Sequence, residues 1–512
     1  MNRIIFKSKK FVIAIFLILF LPGSLLSKNL QDYWPTHGWR KDSPENRGMD
    51  SKKLIEMLQI LKSYPIDSVT IVKDGYIVLD AYQHPYQADR LHNVFSCTKS
   101  VTASLIGIAI DNNFIKGVEQ PLLSFFPKEK IRVDGQKKRV INLHHTLTMT
   151  TGIDFRDSYL YQWENLKKMH RTNNWVDFAL NLPVIHEPGT HYDYSNITAF
   201  LLSAIIQETT GMKASEFAEK YLFSKLGIQE YIWLENREGN TLGYGSLRMN
   251  NLDLAKFGLL YLTYGKWEEK QVISREWVNV STSTQVKKAN DHYNYGYQWW
   301  VENDSLFSAQ GKGGQDIIVD RKHNLVVVFT SSLPDRLTDQ PRSIYSTCIQ
   351  PSIVSDKKIP EDPEALKELN IQIKKLSKPE YDKNKVNQIP VWLKKYTGKK
   401  FIYKHKIFKT KKIKFEVNFK KNEIFLTEYD VENKPTRYKL GLAGQYFVNQ
   451  LGPNVLTAAK ATFENNSIIV DIASPEIAWR ATGTFRFSDN SVDVKVVDLN
   501  ENKYFTQGFM IE

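Results

Sequence analysis

Val94-Phe95-Ser96-Cys97-Thr98-Lys99-Ser100 opens the longest apolar helical pattern in the first third of the chain. Behind it Val101, Leu105, Ile106, Ile108, Ala109 and Ile110 recur at helical spacing until Asp111-Asn112-Asn113 ends the run. A serine and a lysine three residues apart on a helix share a face, so the Lys99 amine comes within reach of the Ser96 hydroxyl. That hydroxyl is a poor nucleophile until a base takes its proton, and a lysine in an apolar site gives up its own proton more readily. Alone the pair is a weak signal, because Ser-x-x-Lys recurs by chance and a serine there also suits a helix N-cap. Its partners must come from elsewhere in the chain.

Two hairpin signals lie on either side of this helix. Ser68–Lys73 and Tyr76–Tyr82 are β-prone runs joined by Asp74-Gly75, and far downstream Asp316–Asp320 and Leu325–Thr330 are joined by Arg321-Lys322-His323-Asn324. They predict one antiparallel sheet assembled from both ends of a domain, with a mainly helical segment between them. Within that segment Ile141–Gly152 reads as a short helix ended by glycine, on which His145 is expected to be structural. Ile197–Thr209 reads as a helix with Gly211 just past its end.

The composition changes after about residue 355. Ser355–Pro379 is charged and helix-prone, with Pro360, Pro363 and Pro379 towards its edges, and from about Val391 short alternating apolar runs take over. The expected organisation is residues 1–27 as a signal or anchor, 28–354 as the main domain, 355–390 as a linker and 391–512 as an all-β accessory domain, sandwich or barrel.

Arg3, Lys7, Lys9 and Lys10 precede an apolar run from Phe11 to Leu21, followed by small and turn residues, the layout of a secretory signal. Export, to the periplasm or the medium, is the expectation, with an uncleaved N-terminal anchor as its variant. Only two cysteines occur, Cys97 and Cys348, and Cys97 reads as a small buried residue rather than half of a bridge. No metal-ligand spacing and no cofactor motif is present. The formal charge of +13 falls to +9 without the four basic residues of the leader, and the excess concentrates between Lys394 and Lys421. A solvated basic face explains it, and an anionic cell-envelope surface is the partner it would suit; no nucleic-acid motif accompanies it.

A serine that attacks a carbonyl needs a base, a proton donor for the leaving group, an oxyanion hole and a substrate wall. Lys99 supplies the base. In Tyr194-Ser195-Asn196 the tyrosine can relay a proton, and Asn196 can hold Lys99 and a substrate amide. Gly311-Lys312-Gly313-Gly314-Gln315 is a glycine-rich edge along which a substrate can approach the main chain. Trp163, Trp299 and Trp300 are candidate walls, although aromatic clusters more often form core.

These three stretches, in this order, resemble the serine β-lactamase and penicillin-recognising hydrolase superfamily, in its class C-like branch. Gly38-Trp39, Gly48-Met49-Asp50, His92-Asn93-Val94, Leu147–Gly152, Asp253–Gly258 and Gly313-Gly314-Gln315 look like the 6-aminohexanoate-dimer hydrolase type. The resemblance covers about residues 33–350. It implies an α+β, β-lactamase/transpeptidase-like fold with Ser96 as acylated nucleophile, Lys99 as its partner and Tyr194 as general base and acid. The oxyanion would be held by the main-chain N–H groups of Ser96 and Gln315. Many members carry Lys-Thr-Gly or His-Thr-Gly in the third stretch, whose first two side chains meet a substrate carboxylate. Here the triplet reads as Lys312-Gly313-Gly314, without the hydroxyl, or in another register as Ala309-Gln310-Gly311, without either group. A small ester or amide substrate is therefore expected over penicillin or peptidoglycan. The alternative is a low-activity penicillin-binding protein acting as a cell-envelope binding or sensor protein.

Overall fold

The computed structural model describes residues 33–155, 164–290, 292–379, 388–452 and 455–511. The proposed leader at 1–27 and Trp163 lie outside them.

Strands β1 (Ile66–Lys73) and β2 (Tyr76–Tyr82) form the first hairpin. Asn294–Tyr295 (β3), Trp300–Asn303 (β4), Leu306–Gly311 (β5), Gln315–Asp320 (β6) and Leu325–Ser331 (β7) complete an antiparallel sheet in the order β2-β1-β7-β6-β5-β4-β3. The two ends of the segment meet where β1 pairs with β7, with Val69 opposite Phe329 and Ile71 opposite Val327. Both strands are buried on both faces; β7 accordingly reads as a nearly continuous apolar run, while β1 also buries Asp67, Ser68, Thr70 and Lys73. Val327 and Phe329 pack into one core layer, while Val326 and Val328 pack into the other, as the two-residue repeat of a strand requires.

The first layer is covered by helix α1 (Ser51–Leu61), whose N-cap Asp50 accepts the Lys52 N–H. The second is covered by α2 (Cys97–Asp111), α3 (Asn196–Thr210) and α4 (Asn251–Leu262). Every residue of α2 from Cys97 to Ala109 is buried, so this helix lies inside the domain, between the sheet and α3. The close approaches depend on glycine: a Cβ on Gly107 would stand 2.4 Å from the Trp277 ring, and one on Gly258 2.5 Å from Val326.

Within the stretch read as a linker, Pro363–Leu376 forms helix α5, with Asp362 as N-cap and proline at its first position. Its Leu369 and Leu376 are buried in the same layer as α1. An apolar face at helical spacing inside a charged stretch is what docks it.

From Lys400 to Ile511 ten antiparallel strands form the accessory sheet around its own apolar core. The sheet curls until its ends touch, since the Gly441 N–H donates to Ala459 O at 2.9 Å and the Ala461 N–H donates back to Gly441 O at 2.8 Å. The alternating pattern after Val391 thus gives a barrel-like all-β unit. Arg480 of this unit reaches the main domain, where its Nη2 donates to Asp67 Oδ1 at 2.8 Å.

Candidate active site

Ser96 stands at the N-cap of α2, but its side chain makes no capping bond. Phe95 just before it is held at φ +44°, a left-handed conformation that a bulky residue adopts only when its surroundings impose it. The imposing contacts are nearby: the Val94 N–H donates to Leu247 O, and the N–H groups of Cys97 and Thr98 donate back to Val94 O and Phe95 O. The turn leaves the Ser96 side chain facing a cavity of about 590 Å³, the size of a small-molecule site.

Lys99 lies one helical turn on and is 1% exposed. Its Nζ donates to Ser96 Oγ at 2.9 Å, to Asn196 Oδ1 at 2.7 Å and to Tyr244 O at 2.8 Å. The amine is therefore aimed at the serine by the first residue of α3 and by a main-chain carbonyl. α3 is itself fixed by the Ser195 N-cap, whose Oγ accepts the Thr198 N–H.

Tyr194 lines the cavity, its ring stacked on Trp300 at 5.7 Å and 20°, with Lys99 Nζ 4.9 Å from its centroid. Ser96, Lys99, Tyr194 and Asn196, about a hundred residues apart in two pairs, thus meet at one point. Cys97 points the other way, with its Sγ 3.3 Å from Ala309 O, and burial raises its thiol pKa well above the usual range. Cys97 and Cys348 are both free and buried.

Of the two registers open for the third stretch, the structure places the second beside Ser96. Strand β5 ends at Gly311, and Gln310, Gly311 and Lys312 line the cavity. Strand and nucleophile turn are so close that a Cβ on Gly311 would stand 2.4 Å from Val94 O. The triplet on the strand beside Ser96 is accordingly Ala309-Gln310-Gly311, and Lys312 follows it at the turn, its ammonium 3.5 Å from Asp335. Gln315, expected to lend its main-chain N–H to the oxyanion, lies on β6, paired with Gly311 across the hairpin and outside the residues that line the cavity. Its side-chain amide donates to Ser331 O at 2.6 Å and Lys312 O at 3.1 Å, so it stiffens the turn from behind.

Trp299 is likewise corrected. It is fully buried against Phe257, Tyr261 and Phe307, and its neighbour Trp300 is the one that walls the cavity. His145 is a capping residue, its Nδ1 accepting the Asn142 N–H at 3.3 Å while Asn142 Oδ1 accepts the His145 N–H. Burial lowers the pKa of both His144 and His145.

Two groups of the site had no sequence signal. The Tyr244 carbonyl is main chain and any residue would supply it. Asp335, Arg336, Asn500 and Glu501 line the mouth of the cavity from loops remote in sequence from Ser96. Among the described residues no cluster of His, Cys, Asp and Glu could hold a metal ion.

A mixed fold that buries a Ser-x-x-Lys helix behind an antiparallel sheet, with a Tyr-x-Asn turn and a strand end beside the serine, defines the class of serine β-lactamases and penicillin-binding proteins. The beta-lactamase family matches residues 54–346, more than half of the chain, and the protein belongs to that family. Its members are serine hydrolases acting on amide and ester bonds. A 6-aminohexanoate-dimer hydrolase of Paenarthrobacter ureafaciens is 22% identical over 306 residues, which are 55% of this chain and 76% of that protein. A provisionally named D-alanyl-D-alanine carboxypeptidase of Salmonella typhimurium is 21% identical over 225 residues, 39% of this chain and about half (51%) of the relative. Among solved structures, a provisionally named 6-aminohexanoate-dimer hydrolase of Bacillus anthracis superposes with a TM-score of 0.53 at 18% identity, covering 64% of this chain and 89% of that one. That likeness speaks for the fold.

Proposed function

We propose that the protein is an exported serine hydrolase that forms an acyl-enzyme at Ser96 and cleaves a small ester or amide. The observation that carries this reading is the 2.9 Å bond from Lys99 Nζ to Ser96 Oγ inside the cavity that Tyr194 also lines. As Ser96 Oγ attacks the carbonyl carbon, its proton passes to the Lys99–Tyr194 pair. Charge gathers on the carbonyl oxygen, where the Ser96 N–H at the start of α2 and the main chain at the end of β5 are the donors at hand. Tyr194 returns the proton to the departing alcohol or amine. Water then enters, is deprotonated by the same pair and releases the acid from Ser96.

The β5 end supports the small, uncharged substrate class. Its Ala309-Gln310-Gly311 carries no cation, and the Lys312 ammonium beyond it already faces Asp335. The amide-cleaving name of the Paenarthrobacter relative points to the same linkage. Export rests on the layout of residues 1–27.

A second reading, a cell-envelope binding protein with little turnover, draws on one observation. The hairpin of Lys400–Ile407 and Thr410–Asn418 lies in a stretch, 394–421, with twelve lysines and a single acid. A screen of p-nitrophenyl esters, D-amino-acid amides and nitrocefin separates the readings. Turnover lost in Ser96→Ala supports the hydrolase, and turnover at background on every substrate overturns it in favour of the binder.

A further inference from the structure

The mouth of the Ser96 cavity is built by two parts of the chain. Asn500 and Glu501 belong to the turn between strands Ser491–Asp498 and Lys503–Ile511 of the accessory sheet. Asp498 shapes that turn: its Oδ1 accepts the N–H groups of Asn500 at 2.9 Å and Asn502 at 3.0 Å, and its Oδ2 accepts the Tyr504 hydroxyl at 3.1 Å. The turn is tied across to the main domain. The Asp335 N–H donates to Asn500 Oδ1 at 3.2 Å, and Arg336 Nε donates to Glu501 Oε1 at 2.9 Å.

The accessory sheet is held in this position by a buried charge. Asp67 has no exposed side-chain surface, and it accepts from Arg480 of the accessory sheet, from Ser332 Oγ at 2.7 Å and from His92 Nε2 at 3.1 Å. An anchor of that kind fixes the turn over the cavity.

We propose that the Arg336–Glu501 pair is a specificity element: Glu501, supplied by the accessory sheet, neutralises Arg336 and so disfavours substrates whose acyl group ends in a carboxylate. The inference rests on the reading of Ser96 as nucleophile. Both side chains are more than three-fifths exposed (63% and 61%), so the pair is weakly held and a ligand charge competes with it. With Lys312 and Asp335 the mouth carries two cations and two anions, and Glu501 supplies one of the anions. Loss of Glu501 leaves one net positive charge within a Debye length of the cavity.

Two aryl boronic acids test this on the full chain, one neutral (phenylboronic acid) and one bearing a distal carboxylate (4-carboxyphenylboronic acid). Each adds its boron reversibly to Ser96 Oγ, a B–O bond forming as the hydroxyl proton leaves to solvent, so binding is read by calorimetry without turnover. The quantity is the ratio of the two affinities. Glu501→Gln is expected to shift that ratio about three- to fivefold towards the carboxylate ligand, the scale of one exposed charge contact, and less at high salt. Arg336→Gln is expected to shift it the other way. A ratio unmoved in Glu501→Gln overturns the inference while leaving the hydrolase reading intact. If phenylboronic acid binds wild type and Ser96→Ala alike, the reading of Ser96 itself fails, and the inference with it.

Discussion

Replacing Lys99 by methionine separates a catalytic lysine from a structural one. Methionine matches the side chain out to Cε and removes the amine, so Ser96 Oγ loses the donor at 2.9 Å and its candidate base. Loss of a positioned general base costs about 10²–10⁴ in rate, so kcat/KM should fall by about three decades, ~4 kcal/mol of transition-state stabilisation. Stability responds differently because its terms oppose each other. Asn196 Oδ1 and Tyr244 O each lose this donor, which costs ~1–3 kcal/mol apiece where nothing replaces it. Against that, an amine that is 1% exposed no longer has to be desolvated, which offsets part of that cost. The net change should stay within about 2 kcal/mol. Thermal melts and ester hydrolysis on one preparation of Lys99→Met read both quantities. A variant that folds like wild type and keeps turnover within about tenfold would refute the assignment of Lys99 as base.

Tyr194→Phe keeps the ring on Trp300 and beside Lys99, so folding should hold while the leaving-group proton has no carrier. Single-turnover kinetics should show kcat lowered by about 10²-fold or more with KM changed far less. Asp316 gives a pH signature. Burial raises its carboxyl pKa from 3.8 to about 7 although Arg342 opposes the rise. A raised carboxyl binds its proton more tightly when folded, so wild-type stability falls as pH climbs from about 4 to about 7. Asp316→Asn removes that loss and should gain on wild type across the same interval, by at most about 4 kcal/mol; parallel melting curves at pH 5 and pH 8 contradict it. Arg480→Met leaves Asp67 buried without its guanidinium and should lower stability by about 3 kcal/mol, seen in calorimetry as an earlier transition. Burial acts to raise the Asp67 pKa, but Arg480 and His92 hold it below the ordinary carboxylate value, so wild type keeps this contribution down to acid pH.

What could be read from the sequence was whatever local periodicity encodes. Asp74-Gly75 between two β-prone runs announced the first hairpin, and the runs Asp316–Asp320 and Leu325–Thr330 announced the second. The Ser96 helix was visible because its apolar run is nearly unbroken. The third stretch had two registers open because Lys312-Gly313-Gly314 imitates the family triplet as readily as Ala309-Gln310-Gly311 does. Only the end of β5 at Gly311 shows which residues lie beside Ser96. Trp299 and Trp300 illustrate a two-fold ambiguity: adjacent residues entering a strand face opposite ways, and composition does not say which enters the core. Glu501 stands about 400 residues from Ser96. Nothing local to either announces that they share a cavity, since their meeting depends on how two separately cored units pack.

The central claim is that Ser96 is the acylated residue. Treating the protein with a fluorophosphonate and mapping the modified peptide by mass spectrometry tests it most directly. The account predicts one modification, on the peptide holding Ser96, absent in Ser96→Ala and slowed in Lys99→Met. Equal labelling of wild type and Ser96→Ala, or a label resting on Ser100 or Ser195, would contradict it.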